Sequence, residues 1–375
     1  MKSKFLNSLI LVTLAVPGVA MAADAPAAPT LSSILDASGV SLSGDMDFSY
    51  SRLSGSGQFA GTTTNDRVFD YAHNSFSMQA IDVTVAKLPA EGYGGLVDLT
   101  MGKDASIIAS AGTGPYTGQT FDVTQAFVQY ATGNWTTIAG KFVTMSGQEV
   151  IKTTGDTNFS RSILFGYAIP FSHTGVRTTY KVSDAVSLTG GVNNGWDQAT
   201  DANSQKTIEL GAMLNPAKSF ALSAMVYSGA ESGAAGTGTR NLLDLVGTFT
   251  VSDSLNFVLN YDYGSQENAV AAGAKAKWNG LAGYANYQIN DLWRVSARAE
   301  IFKDTDGYRT GVVDANGVGQ KWKEVTLTVG YAPTKSTELR GEVRKDTSDQ
   351  AAFGYSDGIA RKAQSSLGLE AVYKF

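Results

Sequence analysis

Four charged residues of both signs fall in one segment of the chain, residues 145–171. Glu149, Lys152, Asp156 and Arg161 lie within thirteen positions of each other. The segment has 27 residues and lacks the alternation of apolar and polar side chains that flanks it, so it is typical of a long loop between two strands. Because charges lining a narrow passage set its ion preference, we predict that these four residues form a pore constriction. A loop that points outward and packs only on its neighbours is the alternative.

A second group of charged residues lies on the polar face of predicted strands. The basic residues that we predict to line a lumen wall are Lys141, Arg177, Arg298 and Arg344. We expect this wall to oppose Glu149 and Asp156 and to set up a transverse field across the passage. For each residue alone, a salt bridge within the wall and without a role in selectivity explains the position equally well.

Residue types suited to catalysis or metal binding are scarce. His73 and His173 are the only histidines, and there is no cysteine. No serine motif stands near either histidine at a spacing typical of a nucleophile and its base, and two histidines supply at most half a zinc shell. Residues 304–307 begin like a calcium loop, but Tyr308 stands where a third oxygen ligand belongs. The sequence therefore predicts no enzyme, no cofactor and no metal site.

The N-terminal residues have the pattern of a secretory signal peptide. Lys2 and Lys4 precede a short apolar run and the small residues of Ala20–Ala22, so we predict a signal peptide over residues 1–22. Its apolar core is too short to span a bilayer as a helix. Residues 23–39 are predicted to be a periplasmic segment with a short helix over Thr30–Ala37, capped by Thr30 or Ser32, and residues 40–375 form the main domain.

Composition favours strands with one apolar face over a compact soluble core. Charged residues make up 17% of the chain, below the roughly 25% usual in soluble domains, and glycine is frequent at 41 of 375 residues. Without Lys2 and Lys4, 27 of the 29 basic residues remain against 34 acidic ones. This acidic balance, with no concentrated basic patch, argues against a nucleic-acid partner.

From Val40 onward side chains alternate with a period of two, which predicts half-exposed strands. We predict sixteen strands, at 40–51, 75–88, 94–103, 121–131, 135–144, 172–182, 186–196, 206–214, 220–227, 240–251, 255–263, 275–289, 293–302, 321–332, 337–345 and 362–375. A change of phase between Phe76 and Ile81 predicts a bulge near Gln79–Ala80. All eight prolines fall outside the predicted strand interiors.

The predicted connections alternate between short turns and long loops. Seven short and eight long connections place every long loop at one end, an arrangement typical of a transmembrane barrel. The long loops are predicted at 52–74, 104–120, 145–171, 197–205, 228–239, 264–274, 303–320 and 346–361. Each strand has an apolar face and a polar face, which suits lipid outside and water inside, and about sixteen strands leave an aqueous channel. The predicted fold is an antiparallel all-β transmembrane barrel.

Aromatic residues give two further expectations. All five tryptophans lie close to predicted strand ends, where aromatic girdles meet lipid headgroups, and Trp196 and Trp293 have the parity of lipid-facing positions. The chain ends on Phe375 at the close of the sixteenth strand. This end resembles the insertion signal that outer-membrane barrels present to the barrel assembly machinery.

Three stretches resemble the OmpL-like β-barrel porins of Gram-negative envelopes. They are SFSMQAIDVTVAKLPAEGYGGLVDLTMGKD at 75–104, VTQAFVQYATGNWTTIAGKFV at 123–143, and the segment 148–180 with EVI, SRSILFGYAIPF and HTGVRTTY. The similarity runs from about residue 31 to 375 and is most specific in the N-terminal half. It implies a water-filled outer-membrane pore without a substrate common to the family. By similarity to general porins, the third long loop, 145–171, is expected to fold into the barrel.

We therefore expect an outer-membrane porin that passes ions and small hydrophilic solutes by diffusion through a barrel narrowed by loop 145–171. A substrate-specific channel, and a plugged structural or receptor barrel without conductance, are the alternatives. The expected partners are outer-membrane lipids, the assembly machinery and small solutes. Porins of this size are often trimers, but no feature of this sequence decides whether it forms a homotrimer.

Overall fold

The computed structural model describes residues 30–110, 120–271 and 273–375. The predicted signal peptide at 1–22 and residues 23–29 of the predicted periplasmic segment lie outside the described residues.

Sixteen antiparallel strands form one closed barrel, in which sequential strands pair and β1 pairs with β16. The strands are β1 (Ser41–Leu53), β2 (Ser75–Lys87), β3 (Gly92–Met101), β4 (Phe121–Thr132), β5 (Trp135–Val143), β6 (Ser172–Lys181), β7 (Val186–Asn193), β8 (Thr207–Ala217), β9 (Phe220–Gly233), β10 (Gly236–Ser252), β11 (Leu255–Glu267), β12 (Lys275–Gln288), β13 (Trp293–Asp304), β14 (Gln320–Thr334), β15 (Thr337–Ser348) and β16 (Ala363–Lys374). The predicted fold class and strand number are confirmed.

In the described residues, three short α-helices accompany the strands, together with a 3-10 turn at Thr153–Gly155. The α-helices are α1 (Leu31–Ser38), α2 (Lys103–Ile108) and α3 (Ile163–Tyr167). Helix α1 coincides with the helix predicted from the sequence. The Thr30 hydroxyl accepts a hydrogen bond from the Ser33 amide at 3.3 Å, and Gly39 ends the helix in a left-handed conformation. Within the described part of the chain, no helix is long and apolar enough to cross a membrane.

The barrel is polar inside and apolar outside, as the alternation of the strands requires. On β14, Glu324, Thr326 and Thr328 are buried, whereas Val325 and Leu327 are exposed on the outer surface. The inner charged residues are enclosed because loops and neighbouring side chains cover them. The charges on the inner wall are therefore positioned by the same two-residue period that forms the strands.

Two irregularities of the sheet coincide with local features of the sequence. Between β1 and β2, Asp47 pairs with Ala80 and Phe48 with Met78, so Gln79 is the extra residue of the predicted bulge. Pro216 and Pro333 are the penultimate residues of β8 and β14, so they lie at strand ends and, as expected, outside strand interiors. The register shifts at both positions, because proline cannot donate a ladder hydrogen bond.

The prediction of a long loop at 228–239 is wrong. Strands β9 and β10 continue as a paired hairpin as far as Gly233 and Gly236, and only residues 234–235 connect them. This extension contains alanine, glycine, serine and threonine, and lacks the alternating apolar face by which the other strands were recognised. Backbone pairing alone continues the hairpin past the apolar band.

Tryptophan positions agree only in part with the girdle expected from the sequence. Trp135 and Trp293 are exposed, and each stacks on a tyrosine of the next strand, Tyr180 and Tyr331. Trp196, predicted to face lipid, is instead 4% exposed. It follows the end of β7, so the strand parity no longer determines its direction. Trp278 and Trp322 are also buried.

The last residue closes the barrel against Gly44. The backbone groups of Phe375 and Gly44 exchange two hydrogen bonds, at 2.9 and 3.0 Å. A Cβ atom at position 44 would lie 2.4 Å from the Phe375 ring and 2.5 Å from the Asp82 carbonyl oxygen. Glycine is required here because the terminal ring lies directly over the backbone of β1.

Candidate functional site

The loop between β5 and β6, residues 144–171, lies against the inner wall of the barrel; we call it the third loop. Backbone amides of this loop donate to carboxylates on the inner faces of distant strands. Glu342 of β15 accepts from Phe159 and Ser160, and Glu300 of β13 accepts from Ile163 and Leu164, over 2.7–3.3 Å. An irregular buried loop must find acceptors for its amides, and charged acceptors give the stronger bonds.

The start of the third loop is fixed to a different part of the wall. The Gly147 amide donates to Asp244 of β10, and the Gln148 amide donates to Asn260 of β11, both at 3.0 Å. Asn260 also donates to Asp244 at 2.9 Å, which orients the two acceptors. The loop is therefore attached to β10, β11, β13 and β15, on one side of the barrel.

Glu149 and Arg298 are brought together as an ion pair. The Arg298 Nη1 atom lies 2.6 Å from Glu149 Oε1, and the other carboxylate oxygen accepts from the amide and hydroxyl of Ser162. Arg298 also pairs with Glu324 at 3.0 Å. The Arg298 side chain is 0% exposed and that of Glu149 is 4% exposed. These residues fasten the loop to β13 and present little charge to solvent.

Asp156 and Arg161 pair within the third loop. Their side chains approach to 2.8 Å, and Arg161 also donates to the carbonyl oxygens of Val150 and Ile151. Burial raises the pKa of Asp156 to about 7, although the Arg161 guanidinium and the Val150 amide act to lower the pKa. The pair thus folds the loop onto itself.

Arg344 holds the same part of the loop from the wall. Its Nη1 atom donates to the Arg161 carbonyl oxygen at 2.6 Å, and its Nε atom pairs with Asp346 at 2.7 Å. Of the basic residues predicted for the lumen wall, Arg298 and Arg344 therefore contact the third loop.

Lys152 points to the opposite part of the wall. Its ammonium lies 2.7 Å from Asp98 of β3 and 2.6 Å from the Thr84 hydroxyl of β2. The Lys152 side chain is 26% exposed, whereas those of Glu149, Asp156 and Arg161 are 3–4% exposed. Of the four loop charges predicted for the constriction, Lys152 is the one that a passing solute can reach.

Arg177 and Lys141 pair with acids of nearby wall strands instead of with the third-loop acids. Arg177 of β6 lies 2.6 Å from Glu209 of β8 and stacks over the Phe142 ring at 4.2 Å. Lys141 of β5 lies 3.0 Å from Asp122 of β4. This arrangement matches the alternative weighed for single wall residues, a salt bridge within the wall.

A cavity of about 390 Å³ lies between the third loop and strands β3, β4 and β8. The loop contributes Met145, Val150 and Phe165, and the strands contribute Thr124, Gln125 and Met213. The Lys152–Asp98 pair closes one edge. This mostly apolar lining was not predicted from the sequence, although the inward parity of Met213 among the outward Ile208 and Leu210 could have indicated it.

The first long loop, residues 54–74, also contacts the inner wall, which the sequence did not indicate. Arg67 pairs with Asp346 of β15 at 2.5 Å and with Asp70 at 2.6 Å. Phe69 packs on Phe165 of the third loop, with ring centroids 5.8 Å apart. The third loop is therefore held between the wall and the first loop.

A cluster of cations and aromatic rings at the loop end of the barrel was also missed. The Arg309 guanidinium lies 5.3 Å from the ring centroids of both Trp196 and Trp278, and that of Arg240 lies 4.8 Å from Trp196. Burial and the neighbouring Arg240 lower the pKa of Arg309 to about 10. Arg309 donates to the Tyr167 carbonyl oxygen, so the cluster touches the third loop.

Comparison with known proteins agrees with this architecture. Residues 40–375 match the family described as "Putative beta-barrel porin-2, OmpL-like". No curated protein sequence matches the chain at a significant level.

Solved structures with the same fold are outer-membrane channels of low sequence identity. The channel DcaP of Acinetobacter baumannii is 17% identical over 90% of this chain and 97% of its own, with a TM-score of 0.62. An anion-selective porin from Comamonas acidovorans is 11% identical over 90% and 99%, with a TM-score of 0.63. OmpF of Salmonella typhi is 12% identical over 90% and 97%, with a TM-score of 0.57.

Proposed function

The chain belongs to the OmpL-like β-barrel porin-2 family and is an outer-membrane porin, and we propose that it conducts ions and small hydrophilic solutes by passive diffusion through an opening narrowed by the third loop. The attachment of this loop to the inner wall carries the proposal. Backbone amides of the loop donate to buried acceptors on four wall strands, and the cavity of about 390 Å³ is on the side of the loop that faces β3, β4 and β8. Diffusing solutes would pass on that side.

The charged residues take different roles in this proposal. Glu149, Asp156 and Arg161 hold the third loop in shape, and Arg298 and Arg344 attach it to the wall. Lys152 provides the accessible charge of the constriction. Arg177 and Lys141 contribute paired charges elsewhere on the wall. A narrow passage with few free charges should select by size and polarity more than by the sign of the charge.

Processing and assembly complete the proposal. We infer export by the signal peptide at 1–22 and a periplasmic position for residues 23–39. Phe375 at the seam would present the C-terminal signal to the assembly machinery, and outer-membrane lipids surround the barrel. A trimer is the expected assembly for a porin of this size. Catalysis forms no part of the proposal.

Purified protein in a planar bilayer tests the function. Discrete conductance steps in potassium chloride are expected, with current that rises linearly with solute concentration and does not saturate. A barrel that inserts, shown by heat-modifiable migration on gels, yet gives no steps would overturn the porin mechanism and favour a plugged barrel.

A substrate-specific channel is the second candidate, and the arginine–tryptophan cluster favours it. Within the described residues, Arg240 and Arg309 form no ion pair with a carboxylate, and Arg240 donates instead to Gln266 and Tyr308. Two cations beside indole rings suit a small aromatic anion. Millimolar benzoate should then block the current saturably, benzylamine should not, and Arg309→Gln should remove the block. Equal currents with benzoate and benzylamine would exclude this candidate.

A further inference from the structure

Six basic side chains form a row on the outer surface of the barrel, at the end that carries the long loops. We call this row the outer belt. Its members are Arg52 of β1, Lys277 of β12, Lys303 of β13, Lys321 and Lys323 of β14, and Lys345 of β15. All six are exposed, and each alternates with buried inner residues of its strand. The belt therefore faces away from the pore.

The outer belt lies directly above the apolar band. On the same face of β13, β14 and β15, the residues that follow toward the other end are Ile301, Val325 and Val343, which are 43–62% exposed. Cross-strand pairs place Lys303 opposite Lys321, Lys323 opposite Ile301, and Lys345 opposite Val325. The ammonium groups thus lie where the hydrocarbon of the membrane ends and the headgroups begin.

The belt cations lack partners of their own. The lysines that form ion pairs in the described residues are others, namely Lys141, Lys152, Lys181, Lys206 and Lys275. Asp306 and Asp349 lie in the loops that follow β13 and β15. Each accepts a hydrogen bond at 3.0 Å from a backbone amide, that of Lys277 or Lys321, and forms no ion pair with the ammonium. A row of unpaired positive charge stands out on a chain whose net charge is −5.

The other sector of the barrel shows a different pattern. At the loop ends of β2, β4, β7 and β8, the outward positions are taken by Phe76, Phe121, Val192 and Ile208, which are 46–86% exposed. Lys206, next to Ile208, is neutralised by Asp201. Solubility alone would place charge around the whole rim, so the restriction of the belt to one sector indicates a specific partner there.

At the seam where β1 pairs with β16, the outer belt borders a cavity. Arg52 opens onto a space of about 810 Å³ between β1, β16 and the adjoining loops, lined also by His73, Asn74 and the serines at 54, 56 and 365. The rings of Tyr50 and Phe76 pack against each other at a tilt, with centroids 4.9 Å apart, as in an aromatic girdle at the headgroup level. Hydroxyl, imidazole and guanidinium donors in one space suit a phosphate group.

We propose that the outer belt and the Arg52 cavity bind the phosphorylated headgroups of lipids in the outer leaflet. Because the protein lies in the outer membrane, these headgroups are the anions that stand at this height against the barrel. Each ammonium near an anionic membrane surface contributes about a fivefold gain in affinity. The proposal concerns the outer surface and does not depend on how the pore conducts.

The test uses the full purified protein in a non-ionic detergent, with bisphosphorylated lipid A as the probe and native mass spectrometry as the readout. The combined variant Lys303→Gln, Lys321→Gln, Lys323→Gln and Lys345→Gln should bind lipid A at least about tenfold more weakly. The control variant Lys218→Gln and Lys335→Gln, at turns of the other barrel end, should bind as the unsubstituted protein does. Conductance should be the same for all three, which shows that the barrel is intact.

Two further arms identify the ligand chemistry. Dephosphorylated lipid A should bind the unsubstituted protein weakly, and millimolar inorganic phosphate should fail to displace lipid A, because the lipid also contacts the apolar band. Affinity should fall steeply with salt. If the combined variant does not fold, the binding of lipid A by Lys323→Gln alone and its dependence on salt decide whether the proposal holds. Equal binding of lipid A by the lysine variant and the control, or of both lipid forms by the unsubstituted protein, would overturn the proposal.

Discussion

Arg298 on β13 and Glu149 in the third loop form an ion pair of 2.6 Å that is enclosed between the barrel wall and the loop. The two residues are 149 positions apart in the chain. Arg298 also donates to the Ser160 carbonyl oxygen at 2.6 Å and pairs with Glu324. One guanidinium therefore joins two points of the loop to two strands. Its loss should loosen the loop before it destabilises the barrel.

The first prediction concerns this pair. Arg298→Met leaves Glu149 buried without its cation, and Glu324 keeps only Arg344, 3.8 Å away. The loss should weaken loop attachment by about 3–5 kcal/mol. Open-channel current noise should rise, and trypsin should cut after Lys152 and Arg161 in the folded barrel. Arg361→Gln is the control, because its exposed pair with Asp357 contributes about 0–1 kcal/mol. Unchanged current noise and a third loop that resists trypsin in Arg298→Met would show that other contacts suffice to hold the loop.

Removal of the middle of the third loop should widen the pore. Deletion of residues 148–160 eliminates Glu149, Lys152 and Asp156 while leaving all sixteen strands in place. Single-channel conductance should increase, and larger neutral polymers should enter. Deletion of the exposed turn 314–318 between β13 and β14 is the matched control and should leave conductance unchanged. The same conductance for both deletions would place the third loop outside the conduction path.

Lys152 should decide the ion preference. Its removal in Lys152→Gln leaves the Asp98 carboxylate without its cation, next to Asp82 and Asp45 on the same wall. A unit charge about 4 Å from a passing ion changes its energy by about 1 kcal/mol in water, with opposite sign for cations and anions, so the ratio of cation to anion permeability should rise by up to about thirtyfold. Reversal potentials in a potassium chloride gradient measure the ratio.

The control for Lys152→Gln is Lys181→Gln, which removes a lysine whose pair with Asp184 is exposed. It should leave the reversal potential unchanged. A shift of the same size in both variants would mean that general surface charge sets the preference.

Loop attachment should depend on pH through Asp156. Burial raises the pKa of this carboxyl to about 7 in the attached loop, whereas in a detached loop it titrates near 4. Between about pH 4 and 7 the attached form holds a proton that the detached form has lost, so attachment weakens as pH rises through this range. Amides of residues 148–160 should be better protected from hydrogen exchange at pH 5.5 than at pH 7.5, after correction for intrinsic rates.

Asp156→Asn serves as the reference for the pH effect, since the amide cannot ionise. Its protection should vary less with pH than that of the unsubstituted protein. A loop that becomes more protected as pH rises, in a manner that Asp156→Asn abolishes, would contradict the assignment.

Closure of the barrel should depend on the glycine beneath the terminal ring. Gly44→Ala places a methyl group 2.4 Å from the Phe375 ring and 2.5 Å from the Asp82 carbonyl oxygen, so the seam must shift at a cost of about 1–3 kcal/mol. The yield of heat-modifiable refolded barrel should fall. Gly341→Ala on β15 is the control, because its added carbon meets only a Leu369 methyl at 3.9 Å. Equal yields would show that the seam is more adaptable than its packing indicates.

Much of the fold could be read from the chain because alternation is a local property. Sixteen strands were recognised where lipid and water impose opposite requirements on successive side chains, as in Val325 and Thr326. The hairpin beyond Tyr227 was missed because no apolar face marks it. Trp196 was misplaced because parity ends with the strand that carries it.

The sequence by itself determined the strands, the sorting of inner from outer residues and the presence of a long charged loop. Only the tertiary structure decided which loop charges are free, because their partners come from distant strands, as with Glu149 and Arg298, which are 149 positions apart. It also aligned lysines from four strands and Arg52 into the outer belt, since barrel closure and strand register bring them to one height. The local spacing of residues specifies which face of a strand they occupy. The register between strands and the closure of the barrel specify which residues meet across the wall.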